Sequence, residues 1–193
     1  MAPAPTHPLP TRPIPAADQP GRVLFVGRLQ ARKQVDNLLG ACAQLAAPLQ
    51  PELVIVGDGP DRARLQTLAE QTYPRAIFTG ALYGAELEEQ FRRADLFILP
   101  GTGGLAIQQA MSFGLPVIAA EADGTQADLV RSGNGWQIPP GNLPALQTAL
   151  STALADIPAL RRMGAASYRI VSEEVNIENM VAIFIEALNR SLA

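Results

Sequence analysis

The chain has 193 residues, about one domain at roughly 150 residues per domain. Its 15 basic and 18 acidic side chains leave a net charge of −3, which argues against a general nucleic-acid binder, because such proteins carry a basic excess. Apolar residues make up 48% and charged residues 17%, enough for one buried core, and no apolar run reaches the ~18 residues of a membrane span.

Residues 1–20 hold seven of the 17 prolines, from Pro3 to Pro20. Proline fixes φ and removes backbone donors, so this stretch is expected to be an extended linker or tail, ahead of a domain over 21–193. It lacks the basic start and apolar run of a signal peptide. The only histidine, His7, lies in it, so the folded part is expected to hold none. That excludes Ser-His-Asp and Cys-His catalysis and most zinc sites there. A single cysteine, Cys42, rules out an internal disulfide and fits a reducing compartment.

From Gly21 onward, short apolar runs alternate with helical spacing. Val23 to Val26 reads as a first strand, followed by a helix on Val35, Leu38, Leu39, Cys42 and Leu45. Leu53 to Val56 is a second strand, and Leu65, Leu68 and Ala69 mark its helix. Ala76 to Phe78 is a third, followed by a helix on Leu87, Phe91 and Ala94. Leu96 to Leu99 is a fourth, followed by a helix through Ala110 and Met111. Val117 to Ala119 is a fifth, and Trp136 to Ile138 a short edge strand. Two or three helices close the chain, the last with an apolar stripe on Ile177, Met180, Val181, Phe184, Ile185 and Leu188. Continuous apolar strands alternating with helices predict an α/β fold, a Rossmann-like parallel sheet with helices on both faces.

In such sheets ligands bind at the carboxyl ends of the strands. After the first strand, Gly27 allows a tight turn, and Arg28 and Lys33 flank a helix start, which reads as an anion site or else as solvated charge. Arg32 is expected to face solvent. After the second, Gly57-Asp58-Gly59 begins like a dinucleotide fingerprint, but Arg62 stands where a third glycine is required. Asp58 and Asp61 read as turn and cap residues. After the fourth, Gly101-Thr102-Gly103-Gly104-Leu105 places three glycines between strand and helix, so that backbone amides could approach a phosphate. Gln108 or Gln109, one turn further on, could reach a sugar hydroxyl.

These residues together resemble the C-terminal, donor-binding domain of the GT-B glycosyltransferases, in the family-four group of retaining enzymes. The resemblance runs from about Arg22 to Leu192. It is carried by Phe25-Val26-Gly27-Arg28-Leu29 with Lys33, by Leu53 to Pro60, by Ala94 to Pro100, and most specifically by Ala110-Met111-Ser112-Phe113-Gly114-Leu115-Pro116-Val117-Ile118. It implies a sugar transfer from a nucleotide diphosphate to an acceptor hydroxyl, with no cofactor or metal. It implies that Arg28 and Lys33 neutralise the diphosphate, that the backbone at Gly104 and Leu105 binds the same phosphates, and that Leu82 meets the base through its backbone. The family's two glutamates, for sugar and ribose, fall at Gly101 and Gln109, and a later one falls at Asp128. It also implies an N-terminal acceptor-binding domain, or a separate subunit, against which the last helix packs. A cytoplasmic location follows, peripheral to the inner membrane through that missing part. The other reading is a non-catalytic nucleotide- or partner-binding module of the same fold.

Overall fold

The computed structural model describes residues 1–16, 19–122 and 124–191. Six strands form one parallel sheet: β1 (Arg22–Val26), β2 (Glu52–Val56), β3 (Ile77–Gly80), β4 (Leu96–Leu99), β5 (Val117–Ala120) and β6 (Gly135–Ile138), in the order β3-β2-β1-β4-β5-β6. Every strand begun by the apolar runs is present, and β6 is the edge strand. Between them run α1 (Val35–Ala43), α2 (Arg62–Thr72), α3 (Gly84–Arg93), α4 (Leu105–Ser112) and α5 (Thr125–Leu129). The closing helices are α6 (Leu143–Ala155), α7 (Ile157–Arg169) and α8 (Ile177–Ser191), with a π-helical turn at Ile170–Glu174.

The strands are apolar along their whole length because both faces of the sheet are covered. Leu53, Val54, Ile55, Leu96, Phe97, Ile98, Val117 and Ile118 are all fully buried. Cys42 and Tyr73 lie inside the same core. Burial pushes the Cys42 thiol up to about 12 and raises the Tyr73 phenol, which donates to Pro51 O at 2.6 Å.

Strand order reverses between β1 and β4. The loops after these two strands therefore face each other across the switch point, where open α/β sheets bind ligands. β1 is paired along five residues with β2, from Arg22↔Glu52 to Val26↔Val56. With β4 it pairs only at Val23↔Leu96 and Leu24↔Phe97.

The described residues of the proline-rich segment form no helix or strand, as its composition requires, yet they lie along the body. Arg12 joins two helix ends: Nε donates to Arg92 O, Nη1 to Gly114 O, and Nη2 to both Phe91 O and Phe113 O. Desolvation, then the neighbouring Arg161, pushes its pKa down to about 10. His7 is packed as well, its ring centroid 4.4 Å from that of Phe113, so the histidine is not outside the packed body as expected. Gly114 (φ +67°) shows how close the approach is: a Cβ there would sit 2.2 Å from Leu9 Cδ1. By contrast, the apolar side chains of α8, among them Met180, Ile183 and Phe184, are exposed.

Candidate functional site

The loops after β1 and β2 stay paired beyond the sheet. Gly27 N donates to Val56 O at 3.0 Å, Leu29 N to Asp58 O at 2.9 Å, and Asp61 N to Leu29 O at 3.1 Å. A Cβ on Gly57 (φ +142°) would lie 1.9 Å from Gly27 O, and one on Gly59 would lie 2.1 Å from Leu29 O. These glycines are thus explained by loop-to-loop contact, without a dinucleotide. Asp58 is a turn residue as expected. It accepts from Gly59 N at 2.7 Å and from Arg62 Nη1 at 2.8 Å, which holds its carboxyl below the usual range. Asp61 is not a side-chain cap. Its carboxylate pairs with Arg64 at 3.3 Å instead.

Beside these loops, Gly27, Arg28, Asp58, Leu82 and Tyr83 line a pocket of about 360 Å³. Arg28 is exposed and has no hydrogen-bond or ion-pair partner among the described residues. Leu82 packs half-buried against the core, which fixes the backbone at the pocket wall. Gly27 links this pocket to the next loop, because a Cβ there would lie 3.8 Å from Lys33 Cε.

Lys33 ends a 3-10 turn at Ala31–Lys33, and α1 starts from Gln34 in the left-handed region (φ 53°, ψ 39°). The ammonium of Lys33 donates to Thr102 O at 2.5 Å, and burial followed by the nearby Arg32 lowers its pKa. Thr102 N donates in turn to Arg32 O at 3.1 Å. Arg32 is exposed, as expected, with its guanidinium 3.5 Å from Thr102 Oγ1. Gly101 is wedged against this turn: a Cβ would meet Arg32 O at 2.1 Å and Lys33 Cα at 2.7 Å. No side chain fits there while the loop keeps this path, which accounts for the absence of a carboxylate. Across the loop, the buried Gln126 of α5 donates from Nε2 to Gly103 O at 2.7 Å. The N–H groups of Gly103, Gly104, Leu105 and Ala106 find no acceptor among the described residues. Four free donors at the start of α4, with a helix behind them, favour an anion.

The structure therefore brings Gly27, Arg28, Lys33, Leu82, Gly101, Thr102, Gly103 and Gly104 around one end of the sheet. It treats the two glutamines differently. Gln108 is spent: Oε1 accepts from Ala2 N at 2.8 Å, and Nε2 donates to Val175 O at 2.8 Å and Ala2 O at 3.3 Å. Of the two glutamines that could reach a sugar hydroxyl, this one is committed to the N-terminal segment at both ends of its amide, which leaves Gln109. Gln109 and the exposed Leu105 line a groove shared with Pro3, Pro5 and His7. The side chain of Asp128 is exposed on α5.

A profile of the family described as Glycosyl transferases group 1 matches residues 11–170. The chain belongs to that family. This group 1 glycosyltransferase domain is 39% identical over 151 residues to a GDP-mannose-dependent alpha-mannosyltransferase of Mycolicibacterium smegmatis, covering 76% of the chain and 37% of that protein. It is 45% identical over 120 residues to the protein of the same description from Mycobacterium tuberculosis, covering 61% of the chain and 30% of the relative. Among solved structures, sucrose-phosphate synthase from Thermosynechococcus elongatus superposes with a TM-score of 0.77 at 30% identity, over 92% of this chain and 46% of that one. The chain thus spans about a third of its curated relatives and about half of the solved neighbour. The Rossmann-like sheet and the glycosyltransferase family stand as the sequence motifs implied.

Two residues in this arrangement carry no sequence signal. Gln126 is one polar residue in a five-residue helix, with no period or motif to flag it. Arg12 sits in a stretch whose composition predicts no packing.

Proposed function

We propose that this domain is the donor-binding half of a retaining GT-B hexosyltransferase that takes a nucleotide-diphosphate sugar. The observation that carries this reading is the meeting of an uncommitted Arg28 and the ammonium of Lys33 with the free N–H groups that open α4. Lys33 touches both Gly27, the neighbour of Arg28, and the glycine loop, and a departing diphosphate requires positive charge and fixed dipoles of this kind. Lys33 holds Thr102 O with one proton and keeps two for phosphate. Catalysis of this kind rests on positioning and on stabilising the leaving group, so a cofactor or metal is not needed for the step.

The base would lie in the pocket beside Leu82, the diphosphate between Arg28, Lys33 and the backbone from Thr102 to Leu105, and the ribose near Gln109, with Asp128 at the rim. The names of the two mycobacterial relatives make GDP-mannose the first donor to test. The acceptor site and any catalytic histidine would come from an N-terminal domain or a separate subunit, and the chain by itself would transfer no sugar. The setting would be cytoplasmic, peripheral to the inner membrane through that other part.

A second reading, a non-catalytic nucleotide- or partner-binding module, is favoured by the wedge at Gly101, which leaves no room for the family's sugar-binding carboxylate. Calorimetry with GDP, GDP-mannose, UDP and UDP-glucose separates the readings. Binding of one diphosphate series, tightened by its sugar, supports the donor site. Equal affinity for diphosphate and diphosphate-sugar favours the module, and no binding at all refutes both nucleotide readings.

A further inference from the structure

The loop from Gly101 to Gly104 has no side chain beyond Thr102 to hold its shape, and glycine costs more backbone entropy to fix than any other residue. Besides the bond from Thr102 N to Arg32 O, it is held by two outside donors acting on successive carbonyls: Lys33 Nζ on Thr102 O, and Gln126 Nε2 on Gly103 O at 2.7 Å. In a trans peptide the C=O and the next N–H point in opposite directions. Fixing Gly103 O toward α5 therefore turns the N–H of Gly104 away from α5. Lys33 divides its protons between this carbonyl and a phosphate, whereas Gln126 is buried and has no other donor bond among the described residues.

The other end of the same amide is informative. Gln126 Oε1 is buried with no partner among the described residues. An unmatched buried acceptor is destabilising, and an apolar side chain of the same length would avoid it. A residue kept for packing alone would not carry that defect, so the amide is there for its N–H.

We propose that Gln126 is a positioning residue of the donor site, tethering Gly103 so that the backbone N–H groups of the loop are preset for the diphosphate. This rests on the donor-binding reading above. The test uses the chain as it stands, with Gln126→Met, calorimetry against GDP and guanosine, and ¹⁵N order parameters of Gly103 and Gly104. The variant is expected to keep its melting temperature within about 2 °C or to gain. GDP affinity should fall about tenfold with guanosine affinity unchanged. The order parameters should drop from about 0.85 to below about 0.6. Unchanged order parameters overturn the tether, and GDP affinity equal to the wild type overturns its role in the site. A lower melting temperature with parallel loss of both ligands shows a merely structural residue. A wild-type chain that binds neither ligand refutes the donor reading, and the order parameters still decide the tether. If Gln126→Met does not fold, Gln126→Glu, which keeps the shape and loses the donor, takes its place.

Discussion

Two arginine-bearing regions lie on this domain and use their charge in opposite ways. Where the proline-rich segment crosses the helices, Arg12 gives its donors to four carbonyls at the ends of α3 and α4. Nearby, Arg161 bridges Asp95 at 2.5 Å and Pro13 O at 2.9 Å. At the carboxyl ends of the strands, Arg28 has spent nothing among the described residues, and the backbone donors that open α4 are equally free there. An arginine's task is read from whether its donors are already used: the first region is a clasp, the second the proposed receptor.

The sharpest way to break this contrast is at the receptor's backbone. Gly101→Ala sets a methyl 2.1 Å from Arg32 O, so the fold should lose upwards of about 3 kcal/mol, seen as a lowered melting temperature or insoluble protein. Gly101→Glu should fare no better, so restoring the family's carboxylate restores nothing. On the clasp, Arg12→Ala leaves buried carbonyls without donors and should cost about 2–4 kcal/mol, or roughly 5–15 °C in melting temperature. Affinity for a nucleoside diphosphate should stay constant below that melting point.

A milder perturbation is alkaline pH. Cys42 titrates near 9.0 when unfolded but is held up to about 12 in the fold, so above pH 9 the unfolded state loses a proton that the native state keeps. Stability should fall from pH 9 to 10 by about 1.4 kcal/mol per unit in the limit of a full shift. Lys33 and Arg12 act in the opposite sense, because burial lowers both, so the native state sheds their protons first. Chemical denaturation of wild type and Cys42→Ala at pH 8, 9 and 10 checks this; equal slopes would count against it.

On the receptor, Arg28→Ala should weaken diphosphate binding at least about tenfold, equivalent to about 1.4 kcal/mol, with no change in melting temperature. The smallest effect is expected at Gln109. An amide accepts a ribose hydroxyl more weakly than a carboxylate does, but adds no charge against the diphosphate. Gln109→Glu should leave affinity equal or up to about fivefold tighter, and Gln109→Ala should reduce it, within about 1 kcal/mol either way. If calorimetry finds Gln109→Ala silent while Arg28→Ala is not, Gln109 is no ribose contact.

The sheet was legible because burial on both faces writes itself as unbroken apolar runs such as Leu96 to Leu99, and β-α alternation then dictates parallel order. Of the proposed receptor, the sequence singled out Arg28 and Lys33, and the structure sets Lys33 on the glycine loop and leaves Arg28 exposed. The sequence could not separate Gln108 from Gln109, because adjacent helical positions differ only in what packs on them. That partner is the backbone of Ala2, 106 residues away. The clasp was not legible at all, since Arg12 recognises carbonyl oxygens, which every residue has and which leave no trace in a pattern of side chains.

One consequence lies in the short pairing of β1 with β4. β1 pairs with β2 at five positions, the β2–β3 and β4–β5 ladders have three positions each, and the join at the switch point is the shortest, through Val23↔Leu96 and Leu24↔Phe97. This is a seam, and local opening in proteins favours such weakly bonded boundaries. Arg28 and Lys33 belong to one side of it, the glycine loop to the other. Anything gripped by both would act as a stitch, slowing the parting of the halves and shielding the chain from proteolysis as well as filling a pocket.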